Sequence, residues 1–201
     1  AALQQALTSL NRATLAAPTP QQRVAHTMAS FNCTACHVRD GAGGVTPERD
    51  AFFSSNGDDL GDEGRLPPRL DGVGDRLKPA WLRTVLVQGA SVRPYLNTRM
   101  PQFGAVNVGH LTDLFVALDR TQPVRPSREA RPDSPSVQLD AGRTLVGTGG
   151  LSCIACHRFN RQPAQALSVI DLVTATERLN EDWFRRFLRD PNRFHPGTRM
   201  P

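Results

Sequence analysis

Apolar side chains recur three or four positions apart in several stretches of this chain, which is the spacing of one face of an α-helix. This spacing predicts a helical lead-in within residues 1–20, built on Leu3, Leu7, Leu10 and Leu15. Further helices are predicted over residues 21–31, 78–88, 108–121 and 181–189. Together these elements predict an all-α fold.

A proline-rich stretch divides the chain. Residues 122–136 contain four prolines, at positions 123, 126, 132 and 135. Segments of this composition are extended and semi-rigid, so we expect a linker here. It separates a first domain over residues 21–121 from a second over residues 137–201. Within the first domain, residues 40–64 are rich in Gly and Asp and predict a solvated loop.

Two copies of Cys-x-x-Cys-His account for all the cysteines of the chain. They are Cys33-Thr34-Ala35-Cys36-His37 and Cys153-Ile154-Ala155-Cys156-His157. This pentapeptide is a c-type haem attachment signal. The two thiols add across the vinyl groups of one porphyrin edge, and the adjacent His supplies the proximal iron ligand. We therefore expect two covalently attached haem c groups, with Cys33, Cys36, His37, Cys153, Cys156 and His157 as their attachment residues.

Other uses of the cysteines fit the sequence less well. A redox pair of thioredoxin type belongs in a βαβ setting, and no such pattern is present. Four sulfurs could close a zinc tetrahedron. However, the two pairs lie 120 residues apart, and zinc gives no reason for a His directly after each pair.

Two of the three methionines lie in the same tetrapeptide, Thr98-Arg99-Met100-Pro101 and Thr198-Arg199-Met200-Pro201. One copy follows each haem motif, which predicts Met100 and Met200 as sixth iron ligands, since a His/Met pair raises the reduction potential. Core packing is the alternative for any methionine, and we expect it for Met28. Three histidines remain as minor alternative ligands, namely His26, His110 and His195.

The similarity between the two halves extends beyond these motifs. When Trp81 is aligned with Trp183, a set of apolar and basic residues matches at the same offset. The matched pairs are Leu70/Leu172, Arg76/Arg178, Leu77/Leu179, Arg83/Arg185 and Leu86/Leu188. The first copy is longer between the motif His and the Trp, with 44 residues against 26. The chain therefore contains two versions of one unit, here called the first and second repeat.

Each repeat resembles a class I (mitochondrial-type) cytochrome c domain, over residues 21–121 and 137–201. The match rests on an early Cys-x-x-Cys-His, a later Met and helices between them. In addition, Pro196-Gly197-Thr198-Arg199-Met200 is similar to the segment around the Met ligand of that family. The resemblance implies an all-α fold of two such domains in tandem. It also implies that the closing helix of the first domain packs on its first helix.

The resemblance assigns further residues to the haem sites. It implies that Thr98, Thr198, Trp81 and Trp183 hydrogen-bond haem propionates. It also implies that the Pro68 carbonyl accepts from the proximal His, which fixes the orientation of the ring; the second repeat has Ile170 at the aligned position. Arg99 and Arg199 are candidates to offset the propionate charge.

Charge and hydropathy limit the partners. The net charge is +5, with zero over residues 21–121 and +3 over residues 137–201. A basic rim would steer a redox donor or acceptor with an acidic docking surface. No basic run is interleaved with aromatics, which argues against nucleic acid, and no apolar run is long enough to predict a membrane span.

The motifs also predict where the protein works and how its second repeat is completed. Haem is attached to this motif outside the bacterial cytoplasm, so we expect a periplasmic or otherwise exported protein. The second repeat has no counterpart to the 108–121 helix and ends directly after Met200. We therefore expect that the chain is a fragment, or that another domain or subunit covers the second haem.

The leading functional hypothesis is single-electron transfer through two His/Met haems. Both irons would have all six ligands, so neither would offer a site to a substrate, and the chain itself would not be an enzyme. It could act as a dihaem carrier or as a module of a larger oxidoreductase. The alternative is a dihaem peroxidase-like enzyme in which one axial ligand is displaceable, and a haem-based gas sensor ranks below it.

Overall fold

The computed structural model describes residues 1–14, 17–120, 134–167 and 169–201. It is mostly helical, in agreement with the predicted all-α class. None of the helices in these ranges is long and apolar enough to cross a membrane. The helices of the first half are α1 Ala2–Thr14, α2 Pro20–Ser30, α3 Asp62–Arg65, α4 Val73–Arg76, α5 Pro79–Gln88, α6 Ala105–Val108 and α7 Leu111–Asp119. Those of the second half are α8 Pro135–Val146, α9 Ala175–Arg178, α10 Glu181–Arg189 and α11 Pro191–Phe194.

The helices predicted from apolar spacing are present with small changes at their ends. Helices α5 and α10 match the predictions over residues 78–88 and 181–189. The helix predicted over residues 108–121 is present as α7, and Gly109 and His110 separate it from the short helix α6, which ends at Val108. Helix α1 lies within the predicted lead-in, whereas Leu15 is outside the described residues.

Two predictions about irregular segments need correction. Helix α8 begins at Pro135, so the last residues of the predicted 122–136 linker are helical; most of that linker lies outside the described residues. Ser134 caps the helix by accepting a hydrogen bond from the Val137 amide. Proline suits the first helical turn because the backbone N–H that it lacks would have no partner within the helix. The loop predicted over residues 40–64 contains short elements. They are strand β2 Ala42–Gly43, which pairs with β1 Val38–Arg39, a 3₁₀ helix Pro47–Phe52 and the start of α3.

The core of the first repeat forms where α2 packs on α7. Val24 and Met28 of α2 are buried against Leu111 and Phe115 of α7. Phe115 is 1% exposed and Met28 is 4% exposed, so the prediction that Met28 packs in the core is confirmed. Helix α2 is fixed at its start by a capping box, in which Thr19 and Gln22 exchange side chain–backbone hydrogen bonds.

A buried ion pair joins this core to the segment that follows the first Cys-x-x-Cys-His motif. The guanidinium of Arg39 donates to both carboxylate oxygens of Asp119, at 2.6 and 3.1 Å, and both side chains are less than one-tenth exposed. Asp119 also accepts from the amide of Gly74 at 2.9 Å. A Cβ on Gly74 would lie 2.1 Å from the Phe115 carbonyl oxygen, so α4 can lie this close to α7 only with glycine there.

The two repeats dock through the aligned residues of the sequence repeat. Leu77 and Leu179 occupy the same repeat position and form an antiparallel bridge with each other. Two backbone hydrogen bonds flank it symmetrically, from Lys78 N to Arg178 O at 2.8 Å and from Asn180 N to Arg76 O at 3.0 Å. Each bond is the repeat-equivalent of the other, so this junction has local two-fold symmetry, as in an isologous dimer.

Side chains strengthen the junction. The Asn180 amide donates to the carbonyls of Asp75 and Leu77, at 2.6 and 3.1 Å. Arg186 of α10 forms a largely buried ion pair with Asp75 at 2.6 Å. The sequence left open whether the repeats are docked or apart, and the structure shows that they are docked.

The second repeat has a smaller core than the first. Trp183 is 5% exposed and stacks on Phe187, with ring centroids 4.9 Å apart. Helix α8 precedes the second motif as α2 precedes the first, yet its Val137 and Leu145 are both about half exposed. Within the described ranges, no helix packs on α8 as α7 packs on α2.

We expect Asp119→Ala to lower the free energy of unfolding by about 3 kcal/mol, because it leaves Arg39 buried without its partner. Urea unfolding of the intact protein, followed by circular dichroism, measures this loss. The matched control is Asp113→Ala, which removes an exposed acid from the same helix and is expected to cost less than about 1 kcal/mol. Equal losses in the two variants would contradict a structural role for the buried pair.

Candidate cofactor-binding sites

The two Cys-x-x-Cys-His motifs adopt the same backbone conformation. Each begins with a 3₁₀ turn, Cys33–Ala35 and Cys153–Ala155. The residue before each turn, Asn32 or Ser152, is left-handed with φ of 53°. The amide of the motif His then donates to the carbonyl of the first Cys, at 2.9 Å in the first repeat and 2.8 Å in the second. The two motifs therefore present their thiols and imidazole in the same local frame.

Both motif histidines turn Nδ1 toward a backbone carbonyl. His37 Nδ1 lies 2.7 Å from the Pro68 oxygen, and His157 Nδ1 lies 3.2 Å from the Ile170 oxygen. A carbonyl can only accept, so Nδ1 carries the proton and Nε2 keeps its lone pair. This is the tautomer that a metal-ligating histidine needs. The carbonyls are those of the aligned residues that the resemblance indicated, including Ile170, where the second repeat departs from proline.

Burial favours the neutral form of the first imidazole. Desolvation lowers the pKa of His37, and the charges of Arg93 and Arg76 lower it further against the opposing effect of the Pro68 carbonyl. Burial also raises the pKa of the Cys33 thiol, and its own backbone hydrogen bond only partly offsets this. A neutral imidazole is the form that binds iron.

The cysteines do not converge on one metal ion. All four are unpaired and half-buried. In the part of the chain that the structure describes, no three His, Cys, Asp or Glu side chains lie together as metal ligands would. The four sulfurs are therefore not placed together as the zinc tetrahedron considered from the sequence would require.

The Met100 segment is anchored inside the first repeat. Residues 95–97 pair with residues 54–56 through the Ser55–Leu96 bridge. The backbone hydrogen bonds are from Asn56 N to Tyr95 O at 2.8 Å and from Asn97 N to Ser54 O at 3.2 Å. Arg99 reaches Ser91 Oγ at 3.5 Å, Thr98 is half-buried, and Met100 is 38% exposed. Iron ligation by Met100 and the propionate roles of Thr98 and Arg99 stay predictions.

The Met200 segment is anchored on the other repeat. The Thr198 hydroxyl donates to Glu63 Oε2 at 2.6 Å, and Arg199 donates to the Asp59 carbonyl at 2.7 Å. Met200 is half-buried, and its amide donates to Thr198 Oγ1 at 3.3 Å. Iron ligation by Met200 and the propionate roles of Thr198 and Arg199 stay predictions.

The two tryptophans differ in their surroundings. Trp81 on α5 is half-buried. Trp183 on α10 is buried in an aromatic cluster with Phe187, Phe194 and His195. A propionate role for either indole N–H stays a prediction, although packing alone accounts for the burial of Trp183.

The other histidines have contacts of their own. His110 Nε2 lies 2.9 Å from Thr27 Oγ1, between the two core helices of the first repeat. His195 Nε2 lies 3.5 Å from Arg76 Nη1, and because an arginine only donates, this nitrogen is the acceptor. The imidazole lone pair of His195 is thus turned toward Arg76 across the junction. Exposed His26 lies 3.4 Å from Ser30.

The structure adds two arginines that the sequence did not assign to a site. Arg76 and Arg178 occupy one repeat position and lie close to the junction. The pKa of Arg76 is lowered to about 10 by burial and by the nearby charges of Arg93 and Arg178. The repeat alignment already matches Arg76 with Arg178. This match was the sequence signal that could have identified both as residues of the junction.

Arg178 is a buried arginine whose hydrogen bonds to the protein are incomplete. Its side chain is 5% exposed, Nε donates to Thr174 Oγ1, and Nη2 is buried without a hydrogen-bond partner. Burial and then the charge of Arg93 lower its pKa. A buried cation without a full set of acceptors is costly, so the position fits an anionic group from outside the chain. The carboxylates of a haem are groups of this kind, and the residues present thus fit the cofactor that the motifs predict.

No protein-family model, curated protein or solved structure matches this chain. The chemistry of the two sites therefore rests on their motifs and geometry.

We expect stability to fall as the pH drops through the His195 titration. Burial and Arg76 lower the pKa of His195; Arg93 and Arg69 also lower it, and only Glu63 raises it. The folded protein therefore binds this proton less readily than the unfolded chain, whose pKa is about 6.5. The stabilising contribution is complete above that value and is lost as pH falls through the folded pKa.

Urea midpoints between pH 7.5 and 5 test this expectation. His195→Gln should flatten the pH dependence in that range, whereas the control His26→Gln, at an exposed position, should keep the wild-type slope. A His195→Gln variant with the wild-type slope would show that this titration does not affect folding.

Proposed function

We propose that this chain is a dihaem c-type cytochrome that transfers single electrons between redox partners. It would act as a carrier or as an electron-transfer module of a larger oxidoreductase. The observation that carries the proposal is the arrangement of His37 and His157. Each turns Nδ1 to a backbone carbonyl and leaves Nε2 for iron. Because the arrangement occurs in both repeats, it supports two equivalent sites.

The fold supports two tandem cytochrome c-like domains, over residues 21–121 and 137–201. In the first, the α2–α7 packing is the contact between first and closing helix that the resemblance implies. In both, a 3₁₀ turn that begins at the first Cys leads to the motif His, and both cysteines of the motif are free. A covalently bound haem would supply one-electron iron chemistry at each site.

The chain's own residues would limit each site to electron transfer. The motif His and the thioether of Met100 or Met200 would hold the iron of each site. With these ligands in place, neither iron would offer a site to a substrate, and the group would supply only single-electron transfer. His195 is the residue that could compete with Met200, but its Nε2 faces Arg76, which disfavours ligand exchange and the peroxidase-like alternative.

The docked junction supports a two-centre relay rather than two independent carriers. The bridge between Leu77 and Leu179 and the ion pair between Arg186 and Asp75 hold the repeats in one arrangement. A fixed arrangement keeps the separation of two bound groups constant. The +3 charge of residues 137–201 would favour an acidic redox partner, and haem attachment would place the protein on the exported side of a membrane.

The first experiment is to express the chain with exported haem-attachment machinery and to determine its mass and near-infrared spectrum. We expect a mass increase of two haems and a sulfur-to-iron charge-transfer band from two Met-ligated irons. Met100→Ala and Met200→Ala should each remove about half of that band, since each variant removes one thioether ligand. Met28→Leu, a core substitution of similar volume, should leave it intact.

Three results would contradict the proposal. Attachment of no haem would exclude the site chemistry altogether. A wild-type protein without the charge-transfer band would exclude Met ligation. Rapid binding of carbon monoxide by the reduced wild type would show an open iron, which would favour the peroxidase-like enzyme or the gas sensor.

A further inference from the structure

One loop of the first repeat contacts both methionine segments. This loop, residues 54–63, is called here the bracing loop. It lies in the stretch between motif His and Trp in which the first repeat exceeds the second, 44 residues against 26. The sequence predicts a solvated loop over residues 40–64, which include this segment. Its contacts indicate a more specific role.

At its start, the bracing loop is fixed to the first repeat. Residues 54–56 pair with residues 95–97 through backbone hydrogen bonds, and Asn97 Nδ2 also donates to Ser54 Oγ at 2.9 Å. This attachment lies three residues before Met100. The loop therefore cannot move independently of the segment that carries the first candidate ligand.

The far end of the bracing loop is also held. Arg93 donates to the Glu63 carbonyl at 3.1 Å. Arg65, which follows the loop, forms ion pairs with Asp62 and with Asp50, the second at 2.9 Å. The carboxylate of Glu63 is thus presented from a backbone that several contacts of the first repeat keep in place.

From this position Glu63 reaches the second repeat. Its Oε2 accepts the Thr198 hydroxyl at 2.6 Å, and Thr198 Oγ1 accepts the Met200 amide at 3.3 Å. The three groups form a continuous hydrogen-bond chain from a carboxylate of one repeat to the backbone of Met200 in the other. Beside it, Arg199 donates to the Asp59 carbonyl at 2.7 Å and lies 3.4 Å from the Asp59 carboxylate.

The alternative partners of the Met200 segment are weak by comparison. Within its own repeat, the Thr198 amide donates to the His195 carbonyl at 3.0 Å, which makes a turn and does not tie the segment to the core. Gly197 has φ of 82°, a conformation that glycine adopts without strain. The position of Met200 therefore depends strongly on the contacts that the bracing loop provides.

We propose that Glu63 is a positioning residue for the second site, which acts through Thr198 to hold Met200 against the iron. This inference rests on the proposed function, because it assigns an iron ligand to Met200. It adds that the first repeat controls the sixth ligand of the second. Separation of the repeats would then weaken Met ligation at the second site and leave the first site unchanged.

Imidazole is the probe, because it competes with a thioether for the sixth position of oxidised iron. In wild-type protein carrying both haems, titration with imidazole should show two sites whose Met ligands are displaced. Glu63→Ala should increase the apparent imidazole affinity of one site by up to about fivefold, the size expected for one lost hydrogen bond to an exposed carboxylate. The Met200→Ala variant identifies which of the two sites this is.

Two further variants separate positioning from general destabilisation. Glu63→Gln keeps an acceptor oxygen and should restore most of the wild-type affinity. Glu48→Ala removes the same kind of side chain from an exposed position in the preceding 3₁₀ helix and should leave both sites unchanged. Thr198→Val removes the contact with Glu63 and also the acceptor of the Met200 amide. It should therefore raise the imidazole affinity of the same site at least as much as Glu63→Ala does, and adding Glu63→Ala to it should have no further effect.

The outcomes distinguish this inference from the proposed function. If the wild type lacks the sulfur-to-iron charge-transfer band, the proposed function fails, and this inference fails with it. If the wild type has the band and Glu63→Ala behaves like Glu48→Ala, only the inference is overturned. Equal effects of Glu63→Ala at both sites would also overturn it, since the hydrogen-bond chain leads only to Met200.

Discussion

The hydrogen bond between each motif histidine and a distant backbone carbonyl is the constraint on which both sites depend. It fixes the tautomer and orientation of the ring, and it ties the motif turn to a segment remote in sequence. In the first repeat that segment is itself anchored, since Leu70 N donates to Val38 O and Arg39 donates to Leu70 O. Arg39 is in turn paired with buried Asp119, so the candidate ligand His37 is held by a chain of contacts that ends in the helical core.

The internal repeat explains how the two sites come to lie in one molecule. Because Leu77 and Leu179 are equivalent in the sequence, the contacts that each makes with the other repeat are the same, and the junction is self-complementary. The same symmetry places Arg76 and Arg178 at the junction, where burial lowers the pKa of both, and the charges of Arg93 and Arg178 lower that of Arg76 further. The buried Nη2 of Arg178 has no hydrogen-bond partner among the protein atoms, which fits an anionic group from outside the chain.

The two repeats differ in the completeness of their helical cores and in the length of the loop between motif His and Trp. The first has a complete helical core, whereas α8 in the second leaves Val137 and Leu145 about half exposed. The first also carries the longer loop, and part of that loop contacts the Met200 segment through Glu63 and Asp59. The segment of the second repeat that carries Met200 is therefore held in part by the first repeat. These contacts lie outside the repeated pattern.

Chemistry that depends on residue type and short spacing was determined by the sequence itself. The two Cys-x-x-Cys-His motifs and the helices over residues 79–88 and 181–189 follow from patterns within a few turns of chain. The family resemblance indicated the Pro68 carbonyl, and the repeat alignment pointed from it to Ile170. Only the tertiary structure decided that the repeats dock, that Arg178 is buried with an orphaned nitrogen, and that Glu63 reaches Thr198, 135 residues away. Those contacts depend on how surfaces far apart in the chain meet, and no local pattern of apolar or polar positions records such a distance.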